Sequence, residues 1–161
     1  MKFLLCSILA LITGGSWLMA QDENGFIKKD FYSAMAGSEE QAVNKQLDLI
    51  KTAVFKEKKA YEGALLMKKA GMAKGAKSKL DLFKQGHRAL EFELQQDSTN
   101  AEYRFLRLMI QEHAPAVLGY HRELETDKLF IKNNFKKLPV VVQEAVQHYS
   151  KTSRILKPAD L

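Results

Sequence analysis

Three polar side chains on an otherwise apolar stretch are the residues of this chain best placed to do chemistry. They are Arg104, Arg107 and Gln111 in AEYRFLRLMIQEHA, spaced three and four apart. On a helix that spacing puts all three on one face. A guanidinium in a half-buried position needs a carboxylate, because an unpaired interior charge is strongly destabilising. The spacing therefore predicts ion pairs to a neighbouring helix through Glu91 or Asp127, with Glu102 nearby. The alternative is a groove in which the arginines hold a partner's acidic side chain or C-terminal carboxylate bidentately.

The four histidines are His87, His113, His121 and His148, and two have a glutamate one helical turn away, His87 with Glu91 and Glu144 with His148. Such pairs could each give two ligands to a metal held between helices. The di-iron pattern Glu-x-x-His and the zinc-hydrolase pattern His-Glu-x-x-His are both missing. His87 falls on the apolar stripe of its segment, where a packed imidazole is the expected role. No serine has the G-x-S-x-G context, so neither a catalytic residue nor a cofactor is expected. A metal-dependent or hydrolytic enzyme using His87, Glu91, Glu144 and His148 remains the alternative, beside a carrier of an apolar small ligand.

The run GMAKGAKS, residues 71–78, invites comparison with a phosphate-binding loop. That loop needs G-x-x-x-x-G-K-[ST] after a strand. Here only three residues separate Gly71 from Gly75, Ala76 precedes Lys77, and the upstream segment is helical in pattern. Turn chemistry explains the run instead: Gly71 is expected to end one helix and Ser78, with Asp81, to cap the next. Lys68, Lys69, Lys74, Lys77 and Lys79 surround that helix start, where anions are favoured. Lys74 and Lys77 thus join Arg104, Arg107 and Gln111 as candidate partner-binding residues.

The elements that carry these residues read as helices throughout. Apolar residues recur every three or four positions, and no segment alternates for the length of a strand. The stripes are Val43, Leu47, Ile50 and Val54 after Ser38; Tyr61, Ala64, Leu65 and Lys68; Leu80, Phe83, His87, Leu90 and Leu94; then Phe105, Leu106, Leu108, Met109 and Ile110. The last set is apolar on more than one side, which predicts a central, buried helix capped from within Asp97–Asn100. Pro115 stops it. Two further helices follow, with Leu124, Ile131, Phe135 and Leu138, and then Val142, Val146, Tyr149, Ser153 and Leu156, facing inward behind Pro139. The expected fold is all-α, about six antiparallel helices in hairpins or an irregular bundle.

The first twenty residues, MKFLLCSILALITGGSWLMA, have the layout of a secretory signal peptide, with Lys2, an apolar run and Ala20 before QDENG. The expected division is a signal peptide at 1–20, a poorly ordered or short-helix segment at 21–37, and one all-α domain at 38–161. Cleavage would remove Cys6, the one cysteine, leaving no thiol for disulfides or thiolate chemistry. The formal charge of +6 comes from 25 Lys and Arg against 19 Asp and Glu, and both signs are interspersed without stacking aromatics. A nucleic-acid partner is therefore not expected. A peptide or protein is, with peripheral contact to an anionic membrane as a weaker option; the sequence does not specify an oligomeric state.

Two resemblances add to this. ALEFELQQDSTNAEYRFL resembles the helix–turn–helix junction of a tetratricopeptide repeat, with Ser98 where the repeat carries proline, and implies helical hairpins. DSTNAEYRFLRLMIQEHAP, followed by Leu118, Tyr120, Asp127 and Phe130-Ile131, is similar to small exported helical proteins of Bacteroidota bacteria. That likeness covers about residues 60 to 140 and implies export and a helical fold, and it supplies no activity. The expectation is an exported, noncatalytic helical module that binds or scaffolds a partner in the periplasm or cell envelope.

Overall fold

Helical periodicity becomes seven α-helices over residues 26–161, the part of the chain that the computed structural model describes. The expected leader at 1–20 lies outside the described residues. The helices are α1 (Lys28–Ala36), α2 (Glu40–Thr52), α3 (Lys58–Met72), α4 (Ala76–Gln96), α5 (Ala101–Gln111), α6 (Leu124–Asn134) and α7 (Val140–Ser150). Three single 3-10 turns, Ala116–Leu118, Phe135–Lys137 and Pro158–Asp160, complete the order, and no strand occurs among the described residues.

The broad apolarity of α5 has the predicted outcome. Every residue of this helix except Arg104 is buried, and it packs against α3, α4 and α6. Asn100 caps it by accepting from the amides of Glu102 and Tyr103 at 3.0 and 3.1 Å, which satisfies two of its otherwise unpaired donors. Residues 26–37 belong to the same core. Phe31 of α1 is fully buried and meets Tyr61 edge-on at 4.4 Å, while Phe26 stacks on Phe55 at 4.8 Å. The packed unit thus extends upstream of Ser38.

α3 and α4 approach each other closely for a reason carried by two glycines. A Cβ on Gly63 would lie 2.8 Å from the Gly86 carbonyl oxygen and from the Leu90 nitrogen, and one on Gly86 would collide with the Gly63 carbonyl. Only bare backbone allows that approach. The turn after α3 differs from expectation. Gly71 and Met72 continue the helix, Ala73 ends it, and α4 starts behind Gly75, whose φ of +84° suits glycine. Ser78 lies inside the helix and does not cap it, since a left-handed residue reverses the chain three positions earlier.

Smaller differences follow from where helices stop. Glu39, not Ser38, stands at the start of α2, and Val54 lies beyond its end, 84% exposed. Leu80 is exposed too, because the first turns of α4 lie at the hairpin's outer end. On α7, by contrast, Val142, Val146 and Tyr149 are all buried, with Ser153 and Leu156 beyond them.

Candidate functional site

Arg107 is held by two acids. Its Nε and one terminal nitrogen donate to the two oxygens of Asp127 at 2.7 and 2.8 Å, and the other terminal nitrogen donates to Glu91 at 3.1 Å. Arg104 donates to Asp127 at 2.9 Å and twice to the carbonyl of Ser98, with its guanidinium 4.3 Å from the centre of the Phe130 ring. Asp127 is completely buried at the first turn of α6. Both partners named from the sequence, Glu91 and Asp127, therefore meet Arg107. Burial alone would lower the Arg107 pKa, but hydrogen bonds and charge from Asp127, with Glu91, outweigh it and hold the guanidinium firmly charged.

The network runs on from there. Tyr120 donates to Glu91 at 2.6 Å, and Gln111 donates to Glu123 at 2.7 Å. The forks of Arg104 and Arg107 are thus filled by acceptors of the same chain. Lys74 and Lys77 belong to a separate place, Lys74 in the turn between α3 and α4 and Lys77 in the first turn of α4.

Tyrosine–glutamate pairing repeats twice more, a feature that the sequence reading missed. Glu102, buried on α5, accepts from Tyr32 of α1 at 2.7 Å and from Tyr61 of α3, and pairs with Lys28 at 3.1 Å. Glu112 accepts from Tyr149, Ser153 and the Arg154 amide, each at 2.5 Å. Burial would raise the Glu112 pKa, but the bonds from Ser153, Tyr149 and the amide of Arg154 outweigh it and hold the carboxyl below its usual value. The available signal was Tyr61 and Tyr149 on apolar stripes, since buried phenols as a rule find an acceptor; Tyr103, equally buried, has none among the described residues.

The histidine–glutamate set does not converge. Among the described residues, no three His, Cys, Asp or Glu side chains are grouped so as to hold a metal ion. His87 stacks on Phe83 at 5.9 Å and meets Tyr120 edge-on at 4.7 Å, while Glu91 is taken by Arg107 and Tyr120. Glu144 and His148 are exposed on α7 and line a different feature.

That feature is a cleft of about 280 Å³ between α1 and α7. Buried Tyr32, Met109 and Tyr149 form its floor, with Ala36, Val141 and Ala145 above them, and exposed Lys29, Ser33, Glu144 and His148 lie at its edges. Its chemistry suits an apolar group flanked by polar ones. Against this geometry no external likeness can be set: no protein-family model matches the chain, and neither a curated protein nor a solved structure is detectably similar to it.

Proposed function

We propose that the protein is a noncatalytic helical binding module, and that its α1–α7 cleft receives one apolar side chain of a peptide or protein partner. The cleft carries this reading. Small-molecule sites usually span roughly 300 to 1,000 Å³, so a cleft of about 280 Å³ is better matched to a single anchoring side chain than to a carried ligand. An apolar floor with Lys29 on one helix and Glu144 on the other fits the recognition of an amphipathic segment, in which anchors enter a groove and charges fix direction. The leader-like N-terminal sequence supports a role in the periplasm or at the envelope, and the α4–α5 junction is in keeping with tetratricopeptide-like hairpins.

The arginine network supports the reading from the other side. With Arg104 and Arg107 already neutralised within the fold, they act as supports for α5 rather than as the partner's anchor. The test is a displayed peptide library selected on the native protein and counter-selected on Ala145→Trp, which fills the cleft. Enriched peptides sharing one apolar anchor, and shifting the NMR signals of Ala36, Met109 and Ala145, are expected. Peptides that bind the filled variant equally well, or no enrichment at all, would remove the proposal.

A further inference from the structure

The net charge of this chain falls within one stretch of the α3–α4 hairpin. Between residues 68 and 88 stand Lys68, Lys69, Lys74, Lys77, Lys79, Lys84 and Arg88 against a single carboxylate, Asp81. That segment's net charge of +6 equals the formal charge of the entire chain, so the remainder sums to zero. Every residue from Lys74 to Asp81 is exposed, at the point where α3 turns into α4. The start of α4 has no side-chain cap, so its unbonded N–H groups add positive potential there.

Apolar surface accompanies the charge. Leu80 is 40% exposed, and Met72 and Leu82 of the same hairpin end are half-buried. The aromatic rings nearest in sequence are engaged inward, Phe83 against Tyr120 at 5.6 Å and His87 as above. Bases would find no free ring beside the lysines of this turn to stack on. A hairpin end that combines lysines with a partly exposed leucine suits a broad, charged, partly apolar surface.

We propose that the closed end of the α3–α4 hairpin docks peripherally on an anionic phospholipid surface, its lysines among the headgroups and Leu80 at the margin of the acyl region. Docking is peripheral because, among the described residues, no helix is long and apolar enough to cross a membrane. Lysines held near an anionic bilayer each contribute about five-fold in affinity, and that attraction is screened by salt. The inference is independent of the α1–α7 cleft, and Ala145→Trp leaves it intact.

Cosedimentation with vesicles tests it. The purified protein is expected to pellet with phosphatidylglycerol-containing vesicles at low salt, to be released as salt rises, and to ignore phosphatidylcholine alone. Replacing Lys74, Lys77 and Lys79 together by Gln lowers the affinity about 100-fold at the five-fold contribution per lysine. The same replacement at exposed Lys136, Lys137 and Lys151, an equal change of charge elsewhere, leaves it nearly unchanged. Leu80→Ser weakens vesicle binding but not binding to poly-glutamate. All these side chains are exposed, so unchanged thermal melts accompany each variant. Equal losses in both triple variants, no preference for anionic vesicles, or equal binding to poly-glutamate or duplex DNA with no effect of Leu80→Ser would overturn the proposal.

Discussion

Asp127 neutralises two arginines from a position with no exposure to solvent, so its removal leaves Arg104 without an acid and Arg107 with Glu91 alone. Asp127→Ala is expected to cost about 3–5 kcal/mol, the usual result of breaking a buried pair from one side. Urea denaturation with the slope held constant measures it. Replacing Asp127 and Arg107 together by leucine should recover part of the loss, because the desolvation of both charges disappears with them. This network was largely legible beforehand. The cost of burying a guanidinium pointed to Glu91 and Asp127, and both are there. What spacing could not tell was that the acceptors would occupy the guanidinium forks, since that depends on how α6 lies against α5.

At the scale of elements, the α3–α4 contact is the most sensitive to a single carbon. Gly86→Ala drives a methyl group into the Gly63 carbonyl and the Met67 backbone, and overpacking of this kind costs about 1–3 kcal/mol. Gly71→Ala provides the contrast. Gly71 is helical and nothing lies within 4 Å of the added methyl, so alanine's helix propensity should stabilise by about 0.5–1 kcal/mol. Thermal melts of the two variants should move in opposite directions. Periodicity made the helices legible, and the breadth of α5's apolar surface foretold its burial. The glycines misled, because composition does not distinguish a glycine needed for close approach (Gly63, Gly86) from one needed for its φ (Gly75) or from one with no special constraint (Gly71).

The whole molecule is linked by its tyrosines. All five have pKa values raised above the ordinary 10.0, first by burial and, for Tyr32, Tyr61, Tyr120 and Tyr149, by glutamates that accept their hydrogen bonds; Tyr103 is pushed up to about 12. A raised folded-state value means that the stability these phenols confer is undiminished below about pH 10 and declines as pH climbs toward the folded values. Alkaline titration followed by phenolate absorbance is therefore expected to show no independent ionisation at the free-tyrosine value. Phenolate should instead appear together with loss of helical circular dichroism. Tyr61→Phe and Tyr32→Phe, which each remove one donor from Glu102, should lower the pH at which this happens.

Glu102 also joins the beginning of the described chain to its middle, since it holds Lys28 and Tyr32 while α1 rests beside α7. A ribosome makes α1 early, and α2 and Tyr61 of α3 soon follow to meet it, yet Glu102 and α7 emerge only after many more residues have been added. The packing of α1 is therefore completed only when α5 and α7 arrive. Closing contacts so distant along the chain makes assembly a late event, so a nascent polypeptide halted before α7 should remain vulnerable to proteases at its leading end.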